Sequence, residues 1–310
     1  MSDSTKNQKT NKTPNILEQK VNLFLEYLEI ERNVSPLTIR NYRHYLKRFS
    51  NWLETAGGRR PEEITAENVR RYRLFLTRFS DKNNLTLKRV TQSYHLIALR
   101  SFLKWLVKND VKVLAPEKIE LPKADSRSLK FLTNEQVERL LSQPLISDLP
   151  GLRDKAILEL LYSTGLRVSE LTKLDRDKVN LKTGEFGVIG KGGRQRVVFI
   201  SSRAAYWLEK YLAKRKDNLP PLFLGKDSRV SVRSIQRIVE KYCRQAKLPV
   251  KITPHGLRHS FATDLLSSGA DIRSVQEMLG HKNIATTQIY THVTNKQLKA
   301  VHEKFHSGNK

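Results

Sequence analysis

The chain has 310 residues, enough for one large domain or two ordinary ones, and 38% of them are hydrophobic, which indicates a folded protein. Lys and Arg outnumber Asp and Glu by 57 to 31, giving a net charge of +26 that indicates a polyanionic partner, with nucleic acid ahead of an anionic membrane. The single cysteine, Cys243, excludes an internal disulfide bond and a cysteine-rich zinc site. No apolar run is long enough to span a membrane.

The first third of the chain shows four helical patterns after a polar N-terminal stretch. Residues 1–14 lack the apolar run of a secretory signal, so we expect a disordered tail and a cytoplasmic protein. The predicted helices cover 16–32, a segment opened by Ser35 and Pro36, a segment capped by Thr65, and about 86–109. Their predicted buried faces are Leu17, Val21, Phe24, Leu25 and Leu28; Ile39, Tyr42, Leu46, Phe49 and Leu53; Val69, Tyr72 and Leu76; and Val90, Tyr94, Ile97, Phe102 and Leu106.

The second predicted helix carries a basic face opposite its apolar one. Arg40, Arg43 and Lys47 recur there at three- and four-residue spacing. A solvated surface is the usual reason for such charges. Because the charge here is mostly of one sign, we favour DNA contact by these three side chains.

A linker and a second folded unit follow. Pro116 and Pro122 interrupt the helical pattern over 113–130, which we interpret as the linker between domains 15–112 and 131–310. Thr133 and Gln136 then form a capping box, which predicts a helix start. Two β-rich runs within 185–200 flank the turn sequence KGGR and predict a hairpin with Lys191 at its tip.

Four short clusters in the second unit each have an ordinary explanation. Arg167 and Glu170 lie one turn apart after a glycine, as in many helix starts, and Lys191 alone is a solvated loop lysine. His255 and Arg258 share the first turn of a helix capped by Thr253, where free N–H groups favour anions.

The fourth cluster lies near the C-terminus. Gly280 ends one helix, His281 follows, and Asn283 caps the next helix, which carries Tyr290 near its end. A tyrosine in that position is most often half-buried, with its ring packed against the protein and its hydroxyl in contact with water.

Taken together, the clusters supply what tyrosine needs to attack phosphorus. With a pKa near ~10, roughly one tyrosine in a thousand is ionised at neutral pH. It therefore needs a base for its proton, cations on the phosphoryl oxygens and an acid for the leaving oxygen. Two arginines, a lysine and two histidines fit that need without a metal or another cofactor.

The ordered motifs TGLRVSEL, the hairpin lysine, HGLRHSFAT and LGHKNIATTQIYTHV resemble a tyrosine recombinase of the Xer type, within the phage integrase family. The motifs span 133–293, and the N-terminal helices fit the family's core-binding domain, a SAM-like DNA-binding unit. The resemblance implies a mainly helical fold with a small β-hairpin or sheet, whose two domains form a C-shaped clamp around DNA. The second domain, 131–310, would be catalytic and end in a tail helix.

The resemblance also implies a role for each motif residue. Arg167 and Arg258 would hold the non-bridging oxygens of the scissile phosphate, and Glu170 would orient an arginine. His255 would accept the nucleophile's proton, His281 would hydrogen-bond the phosphate, and Lys191 would protonate the leaving 5′-oxygen. Tyr290 would form a 3′-phosphotyrosyl link.

The implied partners are double-stranded DNA at a specific recombination site and other protomers. A homotetramer, or a heterotetramer with a paralogue, would hold two duplexes, as in chromosome dimer resolution and partition during the cell cycle. The tail residues Val293, Leu298, Val301 and Phe305 recur at helical spacing. They could pack on their own domain, but the resemblance favours docking on a neighbouring protomer.

Three alternatives share much of this pattern. A mobile-element integrase would use the same chemistry for DNA integration. A type IB topoisomerase would rejoin the same strand. A catalytically silent DNA-binding protein would keep the fold alone, although the complete polar set favours an enzyme.

Overall fold

The fold is mainly helical with one small β-hairpin, as the sequence predicts. The computed structural model describes residues 15–80, 84–122, 131–190, 193, 195–226 and 228–280. Two compact units, Met1–Ser126 and Arg127–Lys310, each enclose a hydrophobic core of their own. The predicted N-terminal tail, 1–14, lies outside the described residues.

The first unit contains four helices. They are α1 (Ile16–Ile30), α2 (Pro36–Thr55), α3 (Ala66–Arg78) and α4 (Arg89–Lys108). The Ser35 and Thr65 side chains accept hydrogen bonds from the backbone N–H groups of Thr38 and Asn68, which confirms both predicted caps. The predicted faces of the first three helices are buried, with Tyr42 half-buried.

The prediction for the fourth helix was wrong at its start and on part of its face. The helix begins at Arg89 because Thr86 pairs with Ser80 in a short antiparallel bridge. Tyr94 and Ile97 are 49% and 36% exposed, whereas a broader stripe faces the core. Only one face of a helix can be buried, and the leucine-rich one removes more apolar surface from water. The buried residues are His95, Leu96, Ala98, Leu99, Phe102, Leu103 and Leu106.

The first residues of the segment predicted as a linker pack against the hydrophobic core of the first unit. Pro116–Lys118 forms a 3₁₀ turn, and Ile119 is fully buried among the residues of the first unit. Arg73 also donates a hydrogen bond to the carbonyl oxygen of Glu120. The chain therefore leaves the first unit well after residue 112.

The second unit is built around one central helix. Its elements are α5 (Asn134–Leu141), α6 (Leu149–Thr164), α7 (Val168–Leu171), β1 (Glu185–Ile189), β2 (Gln195–Phe199), α8 (Ser202–Lys214), α9 (Val232–Gln245), α10 (Pro254–Ser267) and α11 (Ile272–Leu279). Most of α6 is buried, and it packs against α8 and α10. The Thr133–Gln136 capping box at the start of α5 is confirmed.

The predicted hairpin is also confirmed. The strands β1 and β2 are antiparallel, with Glu185 opposite Phe199 and Ile189 opposite Gln195. Alternate side chains face the core, so Val188 and Val198 are buried. Arg196 shares this inward face because it stands opposite Val188.

Several predictions concern residues that the structure does not describe. Lys191 belongs to this group, as do His281, Asn283, Tyr290 and the whole tail stripe. Across the described ranges, no helix combines the length and hydropathy needed to cross a membrane.

Candidate active site

A tight turn after α6 begins the candidate site. Gly165 ends α6 in the left-handed conformation, with φ +58°. A Cβ atom at this position would lie 2.4 Å from a ring carbon of Phe261 on α10. Glycine therefore meets two requirements here, a backbone conformation that side chains disfavour and a close approach of two helices.

Arg258 joins the ends of two helices. It lies on the first turns of α10, which Thr253 caps and Pro254 opens, and it is only 3% exposed. Its guanidinium donates to the carbonyl oxygens of Gly165, at 2.6 Å, and Leu279, at 2.5 Å. Both carbonyls stand at helix C-termini, where the partial negative charge of the helix dipole stabilises a buried cation.

Arg167 lies beside this pair and caps α7. Its backbone N–H and one guanidinium nitrogen donate to the two carboxylate oxygens of Glu170, at 2.9 and 2.8 Å. A second guanidinium nitrogen donates to the carbonyl oxygen of Gly280 at 3.2 Å. The predicted Arg167–Glu170 pair is thus formed, and it is held against the end of α11.

A third arginine, Arg196, was missed by the sequence analysis. From β2 it donates two hydrogen bonds to Glu170, at 3.0 and 2.7 Å, and one to the carbonyl oxygen of Met278, at 3.1 Å. Its side chain is 11% exposed. The signal available was its register, since a charged residue at an inward position of an apolar hairpin strand needs a buried partner.

Glu170 is ionised within this group. Burial alone would raise its pKa, but hydrogen bonds from Arg196 and Arg167 outweigh burial and hold the pKa at about 2. Three guanidinium groups, those of Arg167, Arg196 and Arg258, against one carboxylate leave an excess of two positive charges. Such an excess suits a phosphodiester, whose pentavalent transition state gathers negative charge on its oxygens.

A neutral histidine stands on the first turn of α10. His255 is exposed as a residue, but partial desolvation of its ring, with the charges of Arg258 and Arg167, lowers its pKa below the ordinary value. Its ring centre lies 4.3 Å from that of His259, whose pKa burial lowers to about 4. His255 is therefore unprotonated near neutral pH and able to accept a proton.

The structure brings together four of the predicted site residues in the second unit, Arg167, Glu170, His255 and Arg258. His281 follows directly on Gly280, which Arg167 contacts. Nothing among the described residues groups three or more potential metal ligands. The three basic residues predicted to contact DNA, Arg40, Arg43 and Lys47, are exposed on α2 of the first unit.

The Gly165 turn yields a first prediction. Gly165→Ala should lower the free energy of unfolding by about 2–4 kcal/mol, since a left-handed alanine and a clash with Phe261 add their costs. Urea unfolding followed by circular dichroism measures this change. Gly269→Ala is the matched control, because Gly269 also has a positive φ but a Cβ atom there would meet nothing within 4 Å. Equal losses in the two variants would contradict the role of the Phe261 contact.

Comparisons with known proteins identify the family of this chain. The Phage integrase family matches residues 130–297, and the Phage integrase, N-terminal SAM-like domain matches 21–110. A tyrosine recombinase XerC from Pelotomaculum thermopropionicum is 37% identical over 91% of this chain and 96% of its own length. A tyrosine recombinase XerD from Oceanobacillus iheyensis is 36% identical over 94% of this chain and 99% of its own.

A solved structure shares the fold. The XerH site-specific recombinase bound to palindromic difH substrate superposes with a TM-score of 0.70 at 24% identity, covering 91% of this chain and 84% of that one. This structure shows the fold, whereas the family matches and the sequence identity to relatives covered over nearly their whole length establish the family. This chain belongs to the phage integrase family and is a site-specific tyrosine recombinase of the Xer type, an enzyme that transfers DNA strands.

Proposed function

We propose that the candidate site binds the scissile phosphate of a DNA strand and that Tyr290 attacks it. One observation carries the proposal. Arg167 and Arg258 are fixed on carbonyls at the ends of α6 and α11, next to the proton-accepting His255. Because these contacts hold both guanidinium groups in place, the two cations need little reorganisation when charge develops on the phosphate.

The two arginines contact the non-bridging oxygens of the phosphate. Glu170 and Arg196 act as positioning residues, because their hydrogen bonds hold Arg167 in place without reaching the reacting atoms. A bound phosphate offsets the charges of Arg167 and Arg258, which raises the pKa of His255 again and makes it a stronger base at the moment of attack.

The phenolic oxygen of Tyr290 bonds to phosphorus and gives its proton to His255, while the bond from phosphorus to the 5′-oxygen breaks. Lys191 protonates that oxygen, and His281 hydrogen-bonds the phosphate. The resulting 3′-phosphotyrosyl ester is similar in energy to the phosphodiester it replaces, so rejoining to another strand needs no ATP.

Strand exchange between two DNA duplexes requires several protomers on the DNA at once. We propose that the two domains close around double-stranded DNA at a specific site as a clamp, and that four protomers hold two such sites. The four protomers form either a homotetramer or a heterotetramer with a paralogue. The tail stripe Val293, Leu298, Val301 and Phe305 docks on a neighbouring protomer, and the complex resolves chromosome dimers in the cytoplasm.

Covalent trapping tests the nucleophile. Incubation with nicked genomic fragments should give a detergent-resistant protein–DNA adduct, because the broken end diffuses away and blocks rejoining. Tyr290→Phe should give none, since it removes the attacking oxygen. Tyr206→Phe, which changes a half-exposed tyrosine on α8, is the matched control and should keep the adduct.

Sequencing the trapped DNA then identifies the target site. A single recovered sequence supports site-specific cleavage at a chromosomal locus. An adduct that persists in Tyr290→Phe, or random recovered sequences, would contradict the proposal.

A further inference from the structure

A histidine is buried in the core of the first unit. His95 on α4 is 1% exposed. Its Nε2 atom lies 3.2 Å from a guanidinium nitrogen of Arg48 on α2, and its Nδ1 atom lies 3.1 Å from the hydroxyl of Tyr72 on α3. Three helices thus meet in one chain of polar contacts.

The chemistry of arginine fixes the direction of these hydrogen bonds. A guanidinium can only donate, so Nε2 of His95 accepts and Nδ1 carries the hydrogen that Tyr72 accepts. Burial, with the charges of Arg48 and His44, lowers the pKa of His95 to about 4, which keeps the ring neutral. His95 is therefore a permanent acceptor for Arg48 near neutral pH.

Arg48 is also held on a second side. Its guanidinium carbon lies 4.3 Å from the ring centre of Phe79, a cation–π contact. Within the described ranges, no carboxylate lies at ion-pair distance from Arg48. The guanidinium is held by two uncharged groups, so no carboxylate of the described residues neutralises its charge.

A cavity of about 430 Å³ lies beside Arg48. No acidic side chain lines it among the residues that the structure describes, and its polar lining is basic or neutral. Lys47, one of the three exposed basic residues predicted to contact DNA, is part of this lining. The lining residues are His44, Lys47, Arg48, Asn51, Trp52, Thr55, Phe75 and Phe79.

We propose that Arg48 and Lys47 bind a backbone phosphate of DNA at this cavity, and that His95 is the positioning residue that presents Arg48 to it. The inference rests on the proposed function only in taking DNA as the partner. A guanidinium held in place loses little side-chain freedom when a phosphate binds. A buried imidazole is tolerated only when its nitrogens are hydrogen-bonded, and one of the two hydrogen bonds of His95 holds Arg48.

The test measures DNA affinity and its salt dependence. Fluorescence anisotropy with two 30-base-pair duplexes of different sequence, over a range of NaCl concentrations, gives Kd and the salt slope. Arg48→Ala should weaken binding to both duplexes by about tenfold and reduce the slope by about 1, the signature of one lost phosphate contact. Arg32→Ala, an exposed arginine after α1, is the charge-matched control and should leave both values unchanged.

Two variants of His95 separate positioning from packing. His95→Leu should lose about 1–3 kcal/mol of stability, because the buried hydroxyl of Tyr72 loses its partner, yet per folded molecule it should bind DNA as weakly as Arg48→Ala, because the acceptor for Arg48 is gone. His95→Gln should restore affinity, since its amide oxygen can accept near the position of Nε2. The double variant Arg48→Ala/His95→Leu should be no weaker than Arg48→Ala alone.

Four outcomes would overturn the inference. Two are wild-type affinity and slope in Arg48→Ala, and full affinity in His95→Leu. The third is displacement of DNA by inorganic phosphate at matched ionic strength, which would assign the cavity to the free anion, and the fourth is a wild type that binds neither duplex. Covalent trapping through Tyr290 is measured separately and shows whether the proposed function fails with it.

Discussion

Arg258→Ala should lower the rate of strand cleavage by about 10³-fold or more, while affinity for duplex DNA changes little. Arg258 is one of two arginines that we assign to the scissile phosphate, and it is buried between the ends of α6 and α11. Duplex affinity comes from many other cations on a chain with a net charge of +26. Covalent trapping on a nicked duplex measures cleavage, and anisotropy on the intact duplex measures binding.

The buried position of Arg258 requires a control for stability. Alanine leaves the carbonyl oxygens of Gly165 and Leu279 without this donor, and the loss of a buried donor costs about 1–3 kcal/mol per group. Arg215 offers a matched case. It is 8% exposed and donates to the carbonyls of Pro221 and Leu222, so Arg215→Ala should lose stability but keep cleavage per folded molecule.

A second variant isolates the shape of the guanidinium. Arg258→Lys keeps the charge but cannot hold two carbonyls and a phosphate with one planar fork. We expect cleavage to stay at least about 10²-fold below wild type in this variant. If Arg258→Ala lost duplex binding together with cleavage, Arg258 would be a binding residue and its assignment to the scissile phosphate would be wrong.

Features set by neighbouring residues could be predicted from the sequence. Ser35, Thr65, Thr133 and Thr253 each accept a hydrogen bond within the next turn of their own helix, so a few adjacent residues decide the helix start. The Arg167–Glu170 pair follows in the same way from a spacing of one turn.

Features set by distant segments could not be predicted in the same way. Arg196 reaches Glu170 only because β2 packs against α11 and α6, and although its inward register calls for a buried partner, no local pattern says which residue that partner is. Arg258 was expected on a helix start suited to an anion, yet it is buried by two carbonyls that arrive from α6 and α11. On α4, the periodicity of apolar residues fits more than one buried face. In the structure the leucine-rich face packs into the core, and Tyr94 and Ile97 are exposed.

Glu170→Gln should lower the free energy of unfolding at pH 7 by up to about 3 kcal/mol. The figure converts the lowering of its pKa from 4.5 to about 2. Because the folded-state pKa is depressed, the stabilisation is fully present above about pH 4.5 and is lost as the pH falls towards 2. Glutamine does not titrate, so the gap between variant and wild type should narrow over that window.

Urea unfolding at pH 7, 4 and 3 measures the gap. Glu67→Gln is the control, because Glu67 pairs with Arg70 on the exposed surface of α3 and should show no comparable change. Parallel stability curves for the wild type and Glu170→Gln would contradict the assignment of an ionised, buried Glu170.

The same variant should also weaken catalysis through Arg167. Glutamine offers one neutral acceptor oxygen in place of two charged ones, so Arg167 and Arg196 lose the negative charge that both share and compete for the remaining acceptor, while Arg167 keeps its bond to Gly280. A displacement of about 1 Å at a reacting centre costs about 10²-fold in rate, so we expect cleavage to fall by that order at pH 7 while duplex affinity is kept. Full cleavage in a destabilised Glu170→Gln would mean that Glu170 supports the fold alone, and that Arg167 is positioned by its carbonyl contact and the phosphate itself.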